Sequence, residues 1–193
     1  MTTVVLIRPG ATDYDEQNRI QGTLDLPLSA RGVQEIAELA EALRAVPVEA
    51  LYCCCGASCI ESAKAIGKAI GLRPRKLDAL HNLNQGLWQG LQVDEVRRKH
   101  PRVYRQWCEA PTTVCPPGGE TISDAHERVR RALAPILKRN RGKVVGLIVP
   151  RTLAGIVRCY LQNRDLAHVW DGSDSDARWE LIEVNSEQGP PPT

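Results

Sequence analysis

No stretch of this 193-residue sequence is apolar for long enough to cross a bilayer as a helix, so no membrane span and no membrane partner are expected. The first strand-like run starts at Thr3 and leaves no room ahead of it for a signal peptide, so the expected location is the cytoplasm. Neither sign of charge dominates: 25 Lys and Arg against 23 Asp and Glu give a formal net charge of +2. That balance argues against a nucleic-acid binder built on a basic face. Phenylalanine is absent, aromatics make up 4% of the chain, and histidine occurs four times, at His81, His100, His126 and His168. What is present, 42% hydrophobic and 25% charged residues, excludes wholesale disorder and suits one globular domain, expected over residues 1–186. The Gly- and Pro-rich end, residues 187–193, reads as a disordered tail.

The seven cysteines are an odd number, and four of them crowd into Cys53-Cys54-Cys55 and Cys59. A disulfide framework wants an even count and a secreted chain. The spacing fits none of the usual paired zinc-ligand sets, so no metal is expected and these residues read as small, buried, reduced hydrophobes.

Short continuous apolar runs alternate with amphipathic segments. Thr3–Arg8, Ala50–Cys53 and Val144–Val149 read as buried strands, Arg75–Leu77 as a short edge strand and Arg178–Val184 as a last one. Helices are expected over Ser29–Leu43 with Ser29 as N-cap, Ser58–Ile70, Asp94–Cys108 with a break at Pro101, Thr121–Asn140 and Thr152–Leu161. The stretch from Ala110 to Gly119 reads as a loop. The pattern implies a three-layer α/β/α sandwich with a mostly parallel central sheet. Ligands of such sheets sit beyond the carboxyl ends of the strands, which here means Arg8-Pro9-Gly10, Cys53–Ser58, Leu80–Gly86 and Pro150-Arg151.

Several of these segments resemble one family. Arg8-Pro9-Gly10-Ala11-Thr12 resembles the Arg-His-Gly-Glu-Thr opening motif of the histidine phosphatase (phosphoglycerate mutase-like) superfamily. Asn18-Arg19-Ile20-Gln21-Gly22, Pro27-Leu28-Ser29 with Gly32, Gly86-Leu87-Trp88-Gln89-Gly90, Pro117-Gly118-Gly119-Glu120 with Arg128-Val129, and the strand and helix from Val144 to Leu161 follow in family order. The resemblance implies a phosphoglycerate mutase-like fold. It also implies a chemistry in which a nucleophilic histidine takes the phosphoryl group, a second histidine and two arginines stabilise its charge, and an acid protonates the leaving oxygen.

Carried over by position, the first arginine is Arg8. The nucleophile falls on Pro9, the second arginine on Ser58, the acid on Asn82 and the second histidine on Pro150, where a shift of one residue would land on Arg151. Proline has no side-chain nitrogen to phosphorylate or protonate. Asparagine is no general acid near neutral pH, and serine offers no charged bidentate clamp. The expectation is therefore a pseudoenzyme: fold kept, phosphohistidine chemistry lost. A weakly active phosphomonoester hydrolase and a structural protein that uses its surface are the alternatives; Trp88, Trp107, Trp170 and Trp179 are available to such a surface.

Other nucleophiles are disfavoured. His81 sits beside Asn82 but would need a different geometry. A cysteine phosphatase loop needs an arginine six residues after its cysteine, and none stands at Cys59, Ile60 or Glu61. His100, His126 and His168 read as solvated. No cofactor is expected. Arg8, Arg151, Asn18 and Thr12, with helix N-terminal amides, are the expected holders of a phosphate or other anionic small molecule. Arg151 is expected either to do this, to face solvent or to pair with Glu120. A protein partner and a homodimer are the further partner expectations.

Overall fold

The computed structural model describes residues 1–171 and 177–184; the expected tail and the domain boundary at 186 lie outside the described residues. Five strands form one sheet: β1 is Thr2–Ile7, β2 Ala50–Cys53, β3 Arg75–Lys76, β4 Val144–Ile148 and β5 Trp179–Val184. Their order is β3-β2-β4-β1-β5. All pairings are parallel except that of β5 with β1. Successive residues Val4–Ile7 and Val145, Leu147 and Ile148 are all buried, so both faces of the central strands are covered. β5 alternates instead, with Leu181 exposed between its buried neighbour Ile182 and the sheet-end residues, as befits an antiparallel edge strand.

The helices that cover the sheet begin where short polar side chains satisfy free backbone amides. Ser29 caps α2 (Ala30–Ala42) by accepting from the Gly32 N–H at 3.1 Å. Thr121 caps α6 (Ile122–Arg139) by accepting from the Asp124 N–H at 3.0 Å. Such caps contribute about 1 kcal/mol each. α2 packs on α3 (Ala57–Ile70), and α6 packs on α7 (Arg151–Gln162), which also lies along β5 and β1. The architecture is the expected mixed α/β fold on a mostly parallel sheet. Pro101 separates α4 (Val93–Lys99) from α5 (Pro101–Glu109), because its missing N–H is tolerated only in a first turn. The pattern reading did not foresee α1 (Asp13–Glu16), a single turn too short to show periodicity. The main core draws on β1, β2, β4 and β5 and on α2, α3, α6 and α7; a small satellite of Trp88, Val96 and Val114 lies under α4.

One histidine expectation is corrected here. His126 is not solvated: it is half-buried on α6, and its ring meets the edge of Tyr160 at 6.0 Å between centroids. Burial holds its pKa below the usual value; Glu127 opposes this shift and Arg130 adds to it. A histidine depressed in the folded state stabilises fully above its unfolded pKa, near 6.5, and that contribution is lost as pH falls through this value. The stability advantage of wild type over His126→Gln should therefore shrink between about pH 7 and pH 5 in urea titrations, again because the unfolded histidine takes up its proton near 6.5. An advantage that stays constant across that range would refute the assignment. His168 also has a partner, Asp171 Oδ2 at 3.0 Å, while His100 is exposed between α4 and α5.

Candidate functional site

The sheet register fixes the site. Ile7 and Cys53 both pair with Ile148, so β1, β2 and β4 end in one row. One residue on, Val149 N–H donates to Ile7 O at 3.1 Å and Cys54 N–H to Ile148 O at 3.0 Å. The two prolines, Pro9 and Pro150, come next, beyond the carboxyl ends of neighbouring strands. Pro150 is the N-cap residue of α7, and its carbonyl accepts from Ala154 at 2.9 Å, a position that its fixed φ suits.

The turn after β1 is held by its backbone. Gly10 N–H donates to Ser62 Oγ at 3.2 Å, and Ala11 N–H to Glu35 Oε2 at 2.9 Å. A Cβ on Gly32 would lie 2.0 Å from Ala11 O, and one on Gly10 2.3 Å from Gly32 O. Only glycine at both positions lets the turn press against the first turn of α2.

Above the prolines opens a cavity of about 520 Å³. Arg8, Arg151 and Arg178 line it. Burial, then the charges of Arg151, Arg178 and Arg158, hold the Arg8 guanidinium below its usual pKa; Glu180 opposes them. A cation among cations at a half-buried position is a setting that favours an anion. The Arg8 guanidinium donates to Ala177 O, and its backbone N–H to Arg178 O at 2.9 Å. Arg178 in turn pairs with Glu35 and reaches Pro9 O at 3.5 Å. Glu35 also binds Arg31 Nε at 2.8 Å, so it links the turn, α2 and the approach to β5.

The other predicted positions divide. Asn18 lines the cavity in a left-handed conformation (φ 51°), and its carbonyl accepts from Val93 at 3.0 Å. Thr12 does not line it. Thr12 is buried as the cap of α1, its hydroxyl 2.7 Å from Asp15 Oδ2 and accepting from Asp15 N–H at 3.3 Å. Ser58 lines the cavity from the first turn of α3, buried, with its N–H on Leu26 O at 3.1 Å. Asn82 lines it too, but its amide is engaged in the fold: Nδ2 donates to Gly22 O at 2.8 Å and Oδ1 accepts from Leu83 N–H at 2.9 Å. Arg151 is exposed at the start of α7, and the partner expected for it, Glu120, is engaged elsewhere. Glu120 is held by Arg128 at 2.6 Å, with both side chains largely buried, and also accepts from Asn84 N–H at 2.9 Å.

The nucleophiles weighed from the sequence, His81 and the cysteines of Cys53–Cys59, do not line the cavity, although Cys108, a free exposed thiol, does. His81 turns its Nδ1 to Asn82 O at 2.8 Å, and among the described residues no histidine lines the cavity. Cys53, Cys54 and Cys59 are buried free thiols and Cys55 is half-buried. Burial pushes the Cys53 thiol up to about 11 and also raises Cys59, whereas a hydrogen bond from Cys59 and another from the Gly56 backbone pull Cys54 down. None of these four lines the cavity.

Two features went unseen in the sequence. Arg178 and Glu35 reach the site only through the pairing of β5 with β1 and the face of α2. Three of the four tryptophans, Trp88, Trp107 and Trp170, form a cavity wall with Tyr104 instead of an outer surface. Trp179 lies apart, on β5 beside a smaller cavity.

The pattern of the histidine phosphatase superfamily (branch 1) matches residues 4–190. Phosphoserine phosphatase 1 of Hydrogenobacter thermophilus is 28% identical over 184 residues, 95% of this chain and 87% of that protein. The structure of Bacillus stearothermophilus YhfR superposes with a TM-score of 0.83 at 26% identity, covering 96% of this chain and 92% of that one. A mycobacterial glucosyl-3-phosphoglycerate phosphatase in complex with VO3 gives a TM-score of 0.80 at 25% identity, covering 95% of this chain and 98% of that one.

Proposed function

This chain belongs to the histidine phosphatase superfamily, and we propose that within it the chain is a catalytically silent member that binds a phosphomonoester at its strand ends. One observation carries the reading: prolines, Pro9 and Pro150, occupy the two places just beyond β1 and β4 where the family motifs have histidine. Neither ring can accept a phosphoryl group or pass a proton. The positions where the family motifs have the acid and the second arginine are filled by side chains that do neither job. Asn82 is locked to Gly22 and Leu83, and Ser58 stands where a second guanidinium would clamp the phosphate.

Binding is a different matter. Arg8 is retained, Arg151 adds a second guanidinium to the cavity and Arg178, paired with Glu35, a third, with Asn18 also lining it. Positioned guanidinium groups suffice to hold a phosphate dianion, but without a nucleophile or an acid they do not turn it over. We read the chain as a single cytoplasmic domain that binds a small anionic ligand; no helix among the described residues is long and apolar enough to cross a membrane.

The test has two arms. Purified protein incubated with p-nitrophenyl phosphate should release no nitrophenol above a blank, and calorimetry should show inorganic phosphate binding that Arg8→Ala weakens by about 10- to 100-fold, as loss of a charge-assisted pair would. Turnover that disappears in Arg8→Ala would overturn the silent-member reading. Phosphate affinity unmoved by Arg8→Ala would overturn the binding one.

A further inference from the structure

The cavity has two chemically different sets of lining residues. One is cationic: the guanidinium groups of Arg8, Arg151 and Arg178, beside the two prolines. The other is aromatic. Trp107 lies at its centre, edge to face with Trp88 (centroids 5.8 Å, 76°) and tilted against Trp170 (5.0 Å, 40°). Trp170 Nε1–H donates to Trp107 O at 2.7 Å, which fixes the ring and takes its only polar handle out of use. Val93 and Val96 of α4 add aliphatic surface beside the wall.

Trp88 is buried in the satellite core under α4, and Trp107 and Trp170 are partly buried, packed against the core, and also line the cavity. They come from α5 and from the turn after α7, elements far apart in sequence that converge only there. In a chain with no phenylalanine and four tryptophans, three lie together on the cavity that the arginines also line. Indole faces held rigidly at an angle offer stacked and edge-on contacts to a flat ring and little to a small, hydrated polyol.

Resting on the phosphomonoester-binding reading above, we infer that the ligand is an aryl phosphate in chemical class: its phosphate lies among Arg8, Arg151 and Arg178, and its flat apolar group lies against Trp107 and Trp170. The arginines set the orientation, and the tryptophans select among phosphate esters. No covalent step is involved; the complex is a binding complex.

The experiment titrates the unmodified protein by calorimetry with inorganic phosphate, glycerol phosphate and 1-naphthyl phosphate. The expected result is that 1-naphthyl phosphate binds about tenfold more tightly than glycerol phosphate, the scale of one or two good aromatic contacts. In Trp107→Leu, which keeps apolar volume but removes the ring, that ratio should collapse to about two, as loss of the same contacts requires. Trp170→Leu is the second variant, should Trp107→Leu fail to fold. Equal affinities for the two esters in the unmodified protein, or a ratio unchanged by the leucine variants, would overturn the aryl seat while leaving the phosphate site standing. No binding of any of the three, inorganic phosphate included, would overturn the underlying phosphate-binding reading and the inference with it. Release of 1-naphthol would overturn catalytic silence and leave the aryl seat intact.

Discussion

The quadruple substitution Pro9→His, Ser58→Arg, Asn82→Glu and Pro150→His is expected to raise p-nitrophenyl phosphate hydrolysis by about 10³-fold or more over the unmodified chain. β1 and β4 end in register, so residues 9 and 150 stand beyond neighbouring strands and can face one phosphate from two sides. Arg8 is already in place, and Ser58 and Asn82 already line the same cavity. Catalytic groups of this kind act as a unit, so each single substitution should stay near background and the rate should appear only with the set. A stability loss accompanies the gain. Asn82→Glu forfeits the donor to Gly22 O, and Pro150→His frees the backbone at the start of α7, together about 1–3 kcal/mol. A phosphohistidine that survives base and not acid would identify the restored nucleophile. A variant that keeps its circular dichroism and remains silent would show that these four positions do not account for the loss.

Gly32→Ala should be the most damaging single methyl group in the chain near the site. Its Cβ would sit 2.0 Å from Ala11 O, a backbone atom that cannot rotate away. Either the first turn of α2 or the Pro9–Ala11 turn must move, and both are held: Ser29 N–H donates to Ala11 O at 2.9 Å, and Ala11 N–H to Glu35. Overpacking of this kind costs about 3 kcal/mol, which in a domain of this size lowers the melting temperature by roughly 10 °C. Phosphate affinity should fall in the same variant, because the turn that moves carries the rim of the cavity. Gly56→Ala is the control: its nearest outside neighbour would be Cys54 Sγ at 3.7 Å, and the change should stay within about 1 kcal/mol. If Gly32→Ala melts within 2 °C of wild type, about 1 kcal/mol or less at this chain length, the close approach is not there.

What the sequence made legible was whatever is local along the chain. The apolar runs announce β1, β2 and β4, and Ser29 and Thr121 announce the starts of α2 and α6, because capping is a matter of three or four consecutive residues. Arg8, Pro9 and Pro150 could be placed at the site because each follows directly on such a run. The aromatic wall could not, because 63 residues separate Trp107 from Trp170 and only the packing of α5 against the turn after α7 joins them. His126 was misread for a subtler reason. It stands three and seven residues before the buried Val129 and Leu133, so the helical period already put it at the edge of the apolar face, but its charged neighbours Glu127 and Arg128 masked that edge. Thr12 was assigned to a ligand because the hydroxyl's local partner, Asp15, belongs to a helix of one turn that no periodicity reveals.

The antiparallel pairing of β5 with β1 has a consequence for the order in which the protein is made. The carbonyl that anchors the Arg8 guanidinium belongs to Ala177, and 169 residues separate the two. β1, β4 and β2 can pair as soon as β4 has been synthesised, so the sheet centre can close around a site that still lacks its last wall. During translation Arg8 lacks this carbonyl and Arg178 does not yet exist, so the sheet centre and the arginine cluster beside its edge form at different moments.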